Sequence, residues 1–153
     1  MRYLIMIGGL LAAASPALAC VCSPPETDAQ KSEIAERIAR TSVAVADVEQ
    51  ESGMDWESMR GETYRVVKIH VGEAPARFEL ARSFSRGPDG KVQMGMTSCD
   101  EIPPPGRPTT VILYSTDMPG KLRIGGTCDH MFVNMPGGIE AVRAAVRQSG
   151  ERG

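Results

Sequence analysis

The sequence predicts a mainly β protein, a small closed or partly closed barrel of six short strands with one helix before them and one after. Three observations predict it. β-branched runs recur through the middle of the chain, the clearest from Thr63 to Val71, and turn signals such as Gly87-Pro88-Asp89-Gly90 separate them. Apolar residues fall at helical spacing near the two ends, at Ile34 and Ile38 and again at Ile139, Val142 and Val146. No alternation of strand and helix of the kind that builds open α/β sheets is present.

The first 19 residues stand apart. Arg2 supplies a positive charge, and Tyr3 to Ala14 is apolar apart from Gly8 and Gly9. Ser15 and Pro16 break any helix, and Ala17-Leu18-Ala19 puts small residues at the −3 and −1 positions of a cut before Cys20. That is the layout of a secretory signal peptide. The run is too short to span a bilayer, which takes about 20 residues. A bacterial lipoprotein also begins at a Cys, lipidated and anchored. Its signal usually ends Leu-small-small-Cys, and Leu18 stands one place too late for that. The expected organisation is a signal peptide over 1–19, one domain over 20–148 and a frayed tail over 149–153, with a periplasmic or extracellular destination.

Taking 19 residues from the 153 leaves 134, one domain by ordinary size. Without Arg2 the 17 basic residues become 16 against 19 acidic ones, a net charge of about −3. This balance excludes a basic nucleic-acid-binding surface, and no membrane span follows the leader.

The elements follow in order. Ser23-Pro24-Pro25 is extended. Thr27 or Asp28 caps a helix over 28–40, with Glu26 and Asp28 suited to its N-terminal dipole. Ser42 to Val48 reads as a strand through Val43, Val45 and Val48. Residues 50–61 read as a long hairpin loop whose Trp56 folds back on the core. Strands follow over Thr63 to Val71, Ala76 to Phe84 and Lys91 to Met96. The segment Ile102-Pro103-Pro104-Pro105-Gly106 cannot be a central strand. Thr109 to Tyr114 is a buried β-branched strand, and Lys121 to Gly125 the last one. A helix over Ile139 to Arg147 closes the domain.

Four cysteines, Cys20, Cys22, Cys99 and Cys128, all follow the leader. An even number in an exported chain reads as a disulfide framework. Cys20 joined to Cys22 would close a very small, strained ring, so each is expected to reach a distant partner. The rival is a zinc site from the four cysteines and His130, but thiolates survive poorly in an oxidising compartment.

Catalytic patterns are scarce. His70 lies in the strongest strand. Cys128-Asp129-His130 suggests a Cys/His dyad, yet an oxidised Cys128 would supply no thiolate. Asp100-Glu101 reads as solvated charge. There is no phosphate loop, zincin motif or nucleophile elbow. No catalytic residue, resident metal or cofactor is expected. Copper handling is an alternative: Met94, Met96, Met118, Met131 and Met135 are soft ligands in a periplasmic setting. Methionine is also a common filler of cores.

Cys20-Val21-Cys22-Ser23-Pro24-Pro25 resembles the N-terminus of the tissue inhibitors of metalloproteinases. A short helix and a Val-rich strand follow, as in bacterial netrin-like modules. Cys99, Val111-Ile112-Leu113-Tyr114 and Leu122-Arg123-Ile124-Gly125-Gly126-Thr127-Cys128 fit the same family, so the resemblance covers about residues 20–132. It implies an OB-like barrel of five strands with flanking helices, and bridges Cys20–Cys99 and Cys22–Cys128. The third disulfide of the animal inhibitors is missing. It also implies a binding role: the processed Cys20 would chelate a protease zinc through its α-amino group and carbonyl oxygen, with Val21 in the specificity pocket. The partner it implies is a metalloprotease or another exported protein.

Overall fold

The computed structural model describes residues 20–95, 99–100 and 102–151. The expected signal peptide over 1–19, together with Met96 and Glu101, lies outside them. The elements in chain order are α1 (Asp28–Thr41), β1 (Ala44–Ser52), β2 (Thr63–Gly72), β3 (Arg77–Leu80), β4 (Ser83–Arg86), β5 (Val92–Gly95), β6 (Thr109–Ser115), β7 (Lys121–Ile124), α2 (Thr127–Asn134) and α3 (Gly138–Gly150). Five strands close a barrel in the order β1-β2-β3-β7-β6, and β4 and β5 form a separate hairpin. All pairings in the barrel are antiparallel except β3 with β7. The architecture is the mainly β, OB-like barrel with N- and C-terminal helices that the sequence predicts.

Thr27 starts α1 through a capping box. Its hydroxyl accepts from Gln30 N at 3.2 Å, and Gln30 Oε1 accepts from Thr27 N at 3.2 Å. The helix buries Ala35 and Ile38 and packs on α3. α3 continues through Gly150, into the segment expected to fray.

The core has two compartments because β1 and β6 bury both faces. Ala44, Ala46 and Val48 of β1 and Val111 and Leu113 of β6 point into the barrel, where they meet Tyr64, Phe78, Leu80 and Ile124. Their alternate neighbours, Val45, Ile112 and Tyr114, point outward beneath α1, α2 and α3 and meet Ile38, Phe132 and Val142. Period-two alternation is therefore apolar on both sides, and the near-continuous apolar reading of β6 follows.

Four expectations change. β1 runs on to Ser52, into the expected loop, because its polar end forms cross-strand ion pairs: Glu49 with Arg65 at 2.7 Å and Glu51 with Arg77 at 2.8 Å. The single strand expected over Ala76 to Phe84 is two. Ala81 N donates to Leu122 O at 2.8 Å, Arg82 turns inward to Glu62, and the chain leaves the barrel as β4. Trp56 is 51% exposed and does not reach the core; its ring meets Phe84 of the hairpin edge-on at 6.4 Å. Its turn closes on itself, Asp55 pairing with Arg60 and accepting from Ser58 and Glu57. Finally, α2 is a third helix, eight residues long, that the sequence reading left out.

Candidate functional site

Cys20 is bridged to Cys99 and Cys22 to Cys128, with Cα atoms 5.3 and 5.2 Å apart. Both bridges converge on the start of α2. Cys128 is its second residue, and Thr127 donates from its amide (2.9 Å) and hydroxyl (3.3 Å) to the carbonyl oxygen of Cys99. A Cβ on Gly126 would stand 2.5 Å from that same oxygen, so the approach requires glycine here. Between the two staples, Val21 is 86% exposed. Residues 23–26 lead to the Thr27 cap and, with Gln30, Glu33 and Ile34 of α1, border an open depression of about 420 Å³.

Behind this segment lies a polar tie absent from the sequence reading. Arg37 Nη2 of α1 donates to Asp129 Oδ1 at 2.9 Å, and the Tyr114 hydroxyl of β6 donates to Asp129 Oδ2 at 2.7 Å. Gly125 lets them meet, since a Cβ there would lie 2.8 Å from Asp129 Oδ2. The neighbour of Cys128 thus locks α2 against both α1 and the barrel. Burial, then the Asp129 carboxylate, push the Tyr114 phenol up to about 12. For Arg37, burial disfavours the charge, but the bond to Asp129 outweighs it and the guanidinium is held above its ordinary value.

No family model, curated protein or solved structure matches this chain.

The other candidate residues fall elsewhere. His70 Nε2 lies 2.9 Å from Asp47 Oδ1, and the Thr110 hydroxyl donates to the same oxygen at 2.6 Å. A bulge leaves His70 without a partner on β1 and aims its ring at Asp47. Burial alone would raise the Asp47 carboxyl; the bonds from Thr110 and His70 and the charges of His70 and Lys68 hold it below the usual range. The carboxylate stands between hydroxyl and imidazole. In a hydrolytic triad the imidazole stands in the middle, so this trio activates no nucleophile. His130 is turned to Asn134, with Nδ1 3.3 Å from Asn134 Nδ2, and Cys128 is bridged, so Cys128-Asp129-His130 forms no thiolate dyad.

Asp100 is exposed. Met94 is in β5, Met118 in the turn before β7, Met131 in α2 and Met135 at its C-cap, where Met135 packs on the core. Among the described residues no group of three or more His, Cys, Asp or Glu is placed to hold a metal ion. Nor is any described helix long and apolar enough to cross a membrane.

The two described tyrosines give an expected result. Burial, with the Glu62 charge adding to it, pushes Tyr64 up to about 12 as well. Tyr3 lies in the expected leader, so Tyr64 and Tyr114 would be the whole phenol content of a chain beginning at Cys20. Both folded values exceed the unfolded value of about 10, so the stability they contribute is full below pH ~10 and falls as pH rises toward ~12. Phenolate absorbance should show no step near pH 10 while far-ultraviolet dichroism stays native. A step centred there on a folded chain would contradict the burial described.

Proposed function

We propose that this chain is an exported binding module of the netrin-like type, and that its partner-facing element is the processed segment Cys20-Val21-Cys22, directed at a metalloprotease. The observation that carries the reading is the 86% exposure of Val21 between two cysteines that are each bridged to the body of the protein. An isolated exposed valine is ordinary surface. Here the flanking backbone is fixed at both ends, so little ordering cost, about 0.5–1.5 kcal/mol per immobilised group, remains to be met on binding.

The chemistry suits an open zinc site. After cleavage before Cys20, its α-amino group has a pKa near 7.7–8.0, so zinc can displace the proton close to neutral pH. The amine and the Cys20 carbonyl oxygen form a five-membered chelate, and Val21 points into whatever pocket lies beside the metal. Export is supported by the leader pattern and by the two bridges, which persist in oxidising compartments. A lipid anchor would need the Cys20 sulfur, and that sulfur is bridged to Cys99.

The test compares the chain beginning at Cys20 with one carrying a single added alanine before it, on a panel of exported zinc endopeptidases. The unextended chain should inhibit, and the extension should weaken inhibition at least ~100-fold without changing the thermal midpoint. Val21→Asp should also weaken it with the amine intact. Inhibition that survives the extension would rule out chelation. Intact mass should place the mature start at an unmodified Cys20 with both bridges closed.

A further inference from the structure

A second cavity, of about 390 Å³, opens beside Asp129; Arg37, Thr41, Tyr114, Ser115 and Arg123 line it with Asp129. Its construction is specific. Arg123 of β7 is the direct cross-strand neighbour of Tyr114 in β6, and its guanidinium carbon sits 4.9 Å from the centre of the Tyr114 ring. The contact holds the guanidinium over the ring without using any of its five N–H donors. Among the described residues Arg123 makes no ion pair, although it is exposed on a strand. Across the cavity, Arg37 bonds to Asp129 through Nη2 and also to the Tyr114 side chain, which leaves the rest of its five N–H donors. Both Asp129 oxygens are already taken, one by Arg37 and one by the Tyr114 hydroxyl. The Ser115 hydroxyl, next along β6, has no hydrogen bond among the described residues.

We propose that this cavity is a binding site for a small oxyanion, a carboxylate or phosphate group, held between the Arg37 and Arg123 guanidinium groups with Ser115 as a further donor. Two fixed forks facing one space suit the paired oxygens of such groups, and charge-assisted bonds to them are about twice as strong as neutral ones. Asp129 does not cancel the attraction: the cavity holds two positive charges against one negative, and the negative one faces its own partners. Asp100 does not line this cavity; together with Arg123 it borders another depression. The site is independent of whether the N-terminal segment binds a protease.

The experiment is titration of the disulfide-bonded chain with inorganic phosphate and, separately, with acetate, read by the arginine side-chain Nε–H signals in nuclear magnetic resonance. Saturable shifts of Arg37 and Arg123 with either anion are expected, and the anion that binds more tightly names the ligand class. Arg123→Gln should weaken binding about tenfold or more while the fold persists, because Arg123 is exposed and unpaired. Arg40→Gln, which removes an equal charge outside the cavity, should leave it unchanged. Shifts that do not saturate with either anion, or that respond equally to both substitutions, would overturn the proposal.

Discussion

Replacing Cys22 and Cys128 together by serine should lower the unfolding free energy by about 3.5 kcal/mol. The bridge spans 106 residues, and alone a loop of that length would confine the unfolded chain by about 4–5 kcal/mol in the chain-entropy model. Each bridge is worth less in the presence of the other. Cys20 and Cys22 are two residues apart, so with Cys20–Cys99 closed, Cys22–Cys128 completes a ring of roughly thirty residues, worth about 3.5 kcal/mol. Together they match a large part of the 5–15 kcal/mol that holds a typical domain. The reduced chain should therefore be marginal or unfolded at 37 °C. Urea unfolding of Cys22→Ser/Cys128→Ser against the parent, with Cys20–Cys99 intact in both, measures this increment. A loss below about 1 kcal/mol would mean that the bridge does not confine the unfolded ensemble, and the entropic account would fail.

The same substitution carries a functional consequence. It frees one end of the Val21 peptide while leaving Cys20 bridged, so under the proposed function inhibition of a zinc endopeptidase should weaken even where the barrel remains folded. Stability and presentation of the N-terminus rest on one covalent device.

What was legible in the sequence was local. A cap at Thr27 or Asp28, and Ile34 and Ile38 on one stripe, mark α1, while the reciprocal bond from Gln30 emerged with the structure. The β-branched runs mark β2 and β6. Cysteine spacing singles out the segment around Val21. The parts that were not legible depend on contacts across long separations. At the break between β3 and β4, Arg82 reaches Glu62, twenty residues earlier, and Ala81 bonds to Leu122. Helix α2 is too short to show a stripe and buries just Phe132 and Val133, so its main fixings are a bridge and the Arg37–Asp129 bond across 92 residues. The exposure of Trp56 follows from a turn closed by Asp55, which composition alone does not reveal. The proposed oxyanion cavity draws on four separate elements, α1, β6, β7 and α2, and no periodicity connects Arg37 with Arg123.

Arg82→Met should destabilise the protein by about 3–5 kcal/mol, the second large effect expected. The Arg82 and Glu62 side chains are each 6% exposed and joined by two bonds of 3.0 Å. Removing the guanidinium alone leaves a buried carboxylate with its charge uncompensated, whereas Met fills the volume of the lost stem. Replacing both, as Glu62→Leu/Arg82→Met, should recover most of the loss, because two buried charges no longer need desolvation. A double-mutant cycle in urea separates the terms. The double variant also tests what the pair is for. Arg82 is where the chain leaves the barrel, and the hairpin that follows carries Phe84 against Trp56, the chain's one tryptophan. If the pair sets that exit point, the double variant will be stable but its Trp56 emission will shift as Phe84 moves. If emission is unchanged, the exit is fixed by the Ala81–Leu122 backbone bond instead, and the ion pair serves burial alone. A cost for Arg82→Met below about 1 kcal/mol would show that Glu62 reaches solvent in the folded protein, contrary to the packing described.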